Sequence, residues 1–173
     1  MSKKLTYYSG DVRLNEEEKY IEMIVLHYDQ PNENKWRPLS GCLDAFFERL
    51  DKSGKGVAAC YQHDESKLIG VCRDFKTEAG VLSAKLYYVE TPFVKETVLP
   101  QVKAGILQGA SPTIASYREN YKGGITDIVE GVLCEVSLVG LPADLESEIL
   151  KMSAAMAANE DKEREFEINL LTI

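Results

Sequence analysis

The chain has 173 residues, of which 45% are hydrophobic and 28% charged, the usage of one globular domain with a real core and a tail. A net charge of −8 argues against nucleic acid as the main partner, because phosphate binding needs clustered cations, and it leaves no polybasic patch for a membrane surface. The start, Met1-Ser2-Lys3-Lys4-Leu5, lacks the apolar core of a signal peptide, and no apolar run nears the ~20 residues of a membrane span, so a soluble, intracellular protein is expected.

Residues 1–19 are polar, carry the acidic run Glu16-Glu17-Glu18, and read as a solvated N-terminal arm. Tyr20 to Tyr28 alternates, with Ile21, Met23 and Val25 on one face and Ile24 and Leu26 on the other, which predicts a strand covered on both sides. Asp29 to Pro38, rich in Asn, Pro and Asp, is a loop. Ser40 is placed to cap a helix over Cys42 to Leu50, where Leu43, Phe46, Phe47 and Leu50 recur at helical spacing. Gly54 and Gly56 end it. Val57 to His63 reads as a short strand, Asp64-Glu65-Ser66-Lys67 as a turn, and Leu68 to Phe75 as the next strand. A turn over Lys76 to Gly80 and a strand over Val81 to Val89 complete an antiparallel meander.

Thr91-Pro92 marks a helix start, Thr as cap and Pro in the first turn, with Val94, Val98, Val102 and Ile106 along one side. Pro100 inside this stretch predicts a kink or two short helices. The helix exits through Gly109-Ala110 to Ser111, just before Pro112. Ala115 to Tyr121 is a strand, Lys122-Gly123-Gly124 a turn, and Ile125 to Val139 the last strand or pair of strands. Ala143 to Ala158 has helix-forming composition, followed by a charged stretch and a short apolar end. The expected fold is α+β, mainly β: an antiparallel, roughly seven-stranded β-barrel with two to three helices outside. It would fill a domain over 1–145, leaving 146–173 as a helical, charged tail.

Three residues carry chemistry worth testing. His63 stands where a strand breaks into a polar turn, and an ordinary imidazole pKa near 6.5 suits a base near neutrality. A histidine at a strand end is more often a satisfied polar residue, and His27 competes with it. Ser111 has small neighbours that let a carbonyl approach, while Pro112 offers no amide as an oxyanion donor. Glu135 lies inside an apolar strand, sharing a face with Leu133, Ser137 and Val139, and a carboxylate there needs a partner. It could orient His63, or pair with Arg73, Arg118 or a lysine as a structural ion pair. Ser137 is a second-choice nucleophile. The four cysteines, at 42, 60, 72 and 134, form no C-x-x-C pair, and with two histidines no zinc set is evident. They read as reduced, mostly buried thiols.

Several strings in this order resemble the prohead (capsid maturation) proteases of tailed bacteriophages. They are Gln62-His63-Asp64 with Leu68-Ile69-Gly70, the run Lys103 to Ser111, and Glu135-Val136-Ser137-Leu138-Val139-Gly140-Leu141-Pro142-Ala143. Ser40-Gly41-Cys42-Leu43-Asp44-Ala45-Phe46 adds to them, and the likeness covers roughly residues 20–145. The sequence departs from the family pattern at Pro112-Thr113, at Trp36-Arg37-Pro38, and at Ala59-Cys60-Tyr61-Gln62. The resemblance implies a fold similar to the herpesvirus assembly proteases, with Ser111 as nucleophile, His63 as general base and Glu135 as third member, and no metal or organic cofactor. It implies phage capsid and scaffold proteins as substrates, with cleavage inside the immature capsid in the host cytoplasm and, as in many members, self-cleavage. The herpesvirus relatives act as dimers, so it allows a homo-oligomer. Two other classes compete: a non-catalytic scaffold or capsid-assembly binding protein on the same fold, and a cysteine enzyme using Cys60 or Cys134 with His63. The protease reading requires the imidazole of His63 to reach the hydroxyl of Ser111, in a cleft that a polypeptide can enter.

Overall fold

Alternating apolar residues and tight turns dominate the middle of this sequence, and they fold into one sheet. The computed structural model describes residues 3–6, 11–15 and 19–141. The strands are β1 (Lys3–Thr6), β2 (Asp11–Asn15), β3 (Tyr20–His27), β4 (Trp36–Pro38), β5 (Val57–Tyr61), β6 (Asp64–Glu78), β7 (Val81–Tyr88), β8 (Gly109–Lys122) and β9 (Ile125–Val139). Their order across the sheet is β1-β8-β9-β5-β6-β7-β3-β2, and β4 also pairs with β9. Seven of them, β2, β3 and β5 to β9, form the body, with the shorter β1 and β4 added.

The fold is mainly β, as expected, but the antiparallel barrel is not formed. Both β4 and β5 run parallel to β9, so the sheet is mixed. Parallel neighbours cannot be joined by a tight turn, and between β5 and β9 the chain passes through β6, β7 and β8, while a helix, α1 (Asp44–Ser53), lies between β4 and β5 in the chain. The sheet curls until β3 packs against β8, yet its end strands β1 and β2 are not paired with each other among the described residues. Period-2 patterning reports which face is buried, not whether the sheet closes, so the sequence could not decide this.

The meander β5-β6-β7 and the β8-β9 hairpin match expectation, including Gly123 and Gly124, whose φ values of 62° and 83° suit the two-residue turn that joins β8 to β9. The arm does not. Residues 3–6 and 11–15 are strands, β1 on β8 and β2 on β3. Their sequences are too polar to announce burial, and an end strand needs only backbone partners on one side. Trp36–Pro38, expected in a loop, is β4.

In α1, Ser40 does not cap the helix: its Oγ donates to Asp29 Oδ2 at 2.6 Å, and the helix starts at Asp44 without a side-chain cap. Gly54, left-handed at φ 64°, ends it as expected. Phe47 packs on Phe75 with ring centroids 5.0 Å apart, fixing the helix to β6. In the second helical segment the Val94 amide donates to Thr91 Oγ1 at 3.2 Å, the expected cap. The break expected from Pro100 takes the form of a π-helical stretch, Val94–Val98, running into α2 (Leu99–Lys103). A proline ring clashes with the carbonyl four residues back, and the wider turn gives it room.

The core runs through Ile21, Leu43, Ile69, Leu86, Val98 and Leu138, each at most 1% exposed. Burial of such side chains contributes about 1.5–3 kcal/mol apiece. The segments over 143–173, predicted as helix and tail, lie outside the described residues. Among the described residues, no helix is long and apolar enough to cross a membrane.

Candidate active site

The β8-β9 ladder sets the site. Ser111 lies opposite Ser137, and Thr113 opposite Glu135. Directly opposed residues of an antiparallel pair point to the same side, so these four share one face. The other face carries Ala110, Ile114, Val136 and Leu138, all fully buried in the core. The sequence grouping of β9 fails at one point. A register shift between Thr113 and Ile114 leaves Cys134 exposed and puts Leu133, the partner of Ile114, with the core residues. A bulge inverts the alternation beyond it.

Ser111 is therefore the third residue of a strand, not the exit of a helix, which ends at Lys103. Pro112 is accommodated because a proline is tolerated in a strand where its nitrogen faces away from the paired neighbour. That side is the outer side of β8, where β1 ends opposite Thr113.

His63 arrives from β5. Tyr61 pairs with Asp64, so the turn between β5 and β6 is Gln62-His63, and the stretch read as a turn, Asp64 to Lys67, belongs to β6. Both turn residues are left-handed, with φ of 53° and 59°. This geometry favours Asn-Gly, and Gln-His carries none of that signal, which is why the sequence misplaced the turn. Non-glycine residues there cost of order 1–3 kcal/mol each and persist where surrounding structure imposes them. The imposing groups are on β9: the Gln62 amide donates to the Leu138 carbonyl at 3.0 Å, and the His63 amide to Ser137 Oγ at 3.1 Å.

Glu135 is the hub. Its Oε1 lies 3.0 Å from His63 Nδ1. Thr113 Oγ1 donates to the same oxygen, and Ser137 Oγ donates to Oε2 at 2.7 Å. Burial, the largest single influence, opposes ionisation of Glu135, but the hydrogen bonds from His63, Thr113 and Ser137 outweigh it and hold its pKa below the ordinary carboxylate value. The sequence left Glu135 between orienting His63 and an arginine pair, and the contact is with His63. Arg118 pairs instead with Glu130. It lies seven residues beyond Ser111, roughly 20 Å along β8.

Thr113 was not singled out in the sequence, although its place two residues after Ser111 puts it on the same face. Ser137, the second-choice nucleophile, links the His63 amide to Glu135. The structure thus brings His63 and Glu135 into contact and ties both to Ser137, the cross-strand neighbour of Ser111. Ser111 itself has no exposed surface. The Cys60 thiol is pushed up to about 11, by burial first and then by the negative charge of Glu135, so it is a poor thiolate. Cys134 is on the exposed bulge. Among the described residues, no group of three or more His, Cys, Asp or Glu could hold a metal ion.

The chain matches a family model described as Caudovirus prohead serine protease over residues 11–162. The bacteriophage T4 capsid assembly protease, gp21, has a similar structure, with a TM-score of 0.64 at 16% identity over 79% of this chain and 96% of that one. At that identity the likeness speaks for the fold. Comparison with curated proteins returns no match.

Proposed function

The chain belongs to the Caudovirus prohead serine protease family, and from that premise we propose that Ser111 is its nucleophile, His63 its general base and Glu135 the group that orients the base. The observation that carries this reading is the 3.0 Å contact between His63 Nδ1 and Glu135 Oε1, made two residues along β9 from the pair Ser111–Ser137. A carboxylate on Nδ1 sets the tautomer that makes Nε2 the proton acceptor. Ser111 Oγ attacks a peptide carbonyl as its proton passes to Nε2. The imidazolium then gives that proton to the leaving amine, and an acyl-enzyme forms. Water, activated by the same nitrogen, releases the acyl group and restores the serine. The base contributes about 10²–10⁴-fold in rate. The substrates are capsid and scaffold proteins, and the chain itself, cut within the immature shell in the host cytoplasm.

A fluorophosphonate probe with peptide mapping tests the assignment. Labelling at Ser111, lost in both Ser111→Ala and His63→Ala with the fold retained by circular dichroism, is the expected result. Labelling elsewhere would overturn it. A second reading has its own observation, the complete burial of Ser111: a non-catalytic assembly protein that keeps the fold and binds capsid or scaffold protein. It requires no labelling and normal assembly with Ser111→Ala.

A further inference from the structure

A carboxylate presents about four acceptor positions on its two oxygens. At Glu135, Oε1 takes His63 Nδ1 and Thr113 Oγ1, and Oε2 takes Ser137 Oγ. Oε2 therefore has one position more. Glu135 is 4% exposed, so bulk water has little access to it.

The strand on the other side of β9 is β5. It runs parallel to β9 in the register Ala58↔Glu135, Ala59↔Val136 and Cys60↔Ser137. Ala59 and Val136 pack in the core. Side chains alternate along a strand, so Ala58 and Cys60 lie on the opposite face, the one that carries Glu135 and Ser137. On that face Ala58 is exposed, yet Cys60 is 1% exposed. Cys60 does not belong to the core cluster, and its cover includes the site. Glu135 acts on the thiol directly. Burial raises the thiol pKa most, then the charges of Glu135 and Glu65, a side-chain hydrogen bond with Glu135, and the charge of Asp64, to about 11. The direction of that hydrogen bond follows. A thiol so weakly acidic keeps its proton at neutral pH, and a carboxylate held below its ordinary value has none, so S–H donates and Glu135 accepts.

We propose that Cys60 is a positioning residue for the pair His63–Glu135: its neutral thiol donates to the carboxylate from β5 and completes the set of donors around it. Three strands then hold one side chain, β5 through Cys60, β8 through Thr113 and β9 through Ser137. The weak acidity that disqualifies Cys60 as a nucleophile is what suits it to this role. Cys60 falls in Ala59-Cys60-Tyr61-Gln62, one of the strings in which this sequence departs from the family pattern. The bearing on catalysis rests on the assignment of His63 as base, whereas the contact with Glu135 does not.

The contact is tested first without catalysis. The S–H stretch of a cysteine absorbs where other protein groups do not, and it falls in frequency when the thiol donates. In infrared spectra of the full chain, the Cys60 band is the one lost in Cys60→Ser. A neutral amide accepts more weakly than a carboxylate, so the band should rise in Glu135→Gln while those of the other cysteines stay. An unmoved Cys60 band overturns the proposal.

A second measurement covers failure of Glu135→Gln to fold. The Glu135 carboxyl carbon is titrated by NMR in the native chain, in Cys60→Ala and in Cys60→Ser. Loss of a donor favours the protonated carboxyl, so its pKa should rise by about 0.5 in Cys60→Ala and return in Cys60→Ser, where a hydroxyl donates in place of the thiol. A packing role alone would lower the urea midpoints and leave the titration in place, and that result overturns the proposal.

The bearing on catalysis is read from the rate of fluorophosphonate labelling against pH. With one donor gone, more charge remains on the oxygen that faces the ring, and the imidazole keeps its proton to higher pH. The acid limb should move up in Cys60→Ala and return in Cys60→Ser. An unmoved limb in a chain that labels overturns the positioning role. If the native chain takes no label, the catalytic assignment has failed instead, and the S–H band and the Glu135 titration decide whether Cys60 holds the carboxylate.

Discussion

His63 and Glu135 lie 72 positions apart in the chain and meet at 3.0 Å, Nδ1 to Oε1. Neither is held by that contact alone. The His63 backbone is pinned through its amide to Ser137 Oγ. Glu135 is held by Thr113 and Ser137. Ser137 therefore fixes both partners at once, and its backbone is paired with Ser111. An imidazole whose ring and main chain are tied to the same strand has little freedom to swing away from that strand, which is what the proton transfer proposed for His63 would require.

The depressed pKa of Glu135 has a consequence for stability. In the unfolded chain this carboxyl titrates near its ordinary value of 4.5, and in the fold below it. Between the two values the unfolded state binds more protons, so stability rises with pH through that window. The contribution is complete above about pH 4.5 and is lost as pH falls through the folded value. Urea midpoints of the native chain and of Glu135→Gln, compared at pH 7 and pH 3, should differ less at the lower pH. A gap that stays constant or widens would contradict the sign.

Thr113→Val removes one donor from Glu135 while keeping the side-chain shape. A buried carboxylate short of a hydrogen bond costs about 1–3 kcal/mol, so thermal unfolding should move down by several degrees. A purely structural loss would stop there. If Thr113 also serves the site, the Glu135 pKa rises when this donor goes. The acid limb of the kcat/KM profile should then shift to higher pH, and Thr113→Ser should restore it. An unmoved acid limb would confine Thr113 to packing.

What could be read from the sequence followed pattern strength. Ile21, Met23 and Val25 gave β3, and the glycine pair at 123–124 gave the β8-β9 hairpin, because periodicity and turn chemistry are local signals. Three things were not local. The parallel pairing of β5 with β9 depends on a crossover whose path no window of residues encodes. The Gln62-His63 turn is imposed by β9 against the preference of both residues. The strand character of Lys3–Thr6 comes from the free edge of β8. The polar face of β8-β9 was half legible: alternation grouped Glu135 with Ser137, but Thr113 joins them only through the register of a partner strand. The bulge at Cys134 misassigned Leu133 for the same reason.

Gly70 is the glycine whose size the sheet depends on most plainly. A Cβ built there would stand 2.2 Å from the Tyr87 carbonyl oxygen and 2.9 Å from the Tyr88 Cα, both backbone atoms of β7. Neither can move aside as a side chain could. Gly70→Ala must part β6 from β7 locally, an overpacking cost of about 1–3 kcal/mol. It should appear as a lowered urea midpoint with an unchanged slope. A midpoint within error of the native value would show that the two strands have slack at this position.

Gln62 allows the strain in the turn that carries His63 to be measured. Its φ of 53° is a left-handed conformation that an L side chain enters at a cost of roughly 1–2 kcal/mol. Glycine pays almost none of that, but it enlarges the freedom of the unfolded chain by about 0.4–1 kcal/mol. The difference favours the variant, so Gln62→Gly should be more stable than the native chain by up to about 1 kcal/mol. The Gln62 amide bond to Leu138 is a main-chain contact and is retained. Proline at the same position, with φ fixed near −65°, cannot enter the turn and also removes that amide, so Gln62→Pro should be strongly destabilised. Paired denaturation curves give both signs. If glycine destabilises instead, the Gln62 side chain, whose Nε2 stands 3.5 Å from the Cβ position of Gly140, contributes more to the fold than its backbone strain removes.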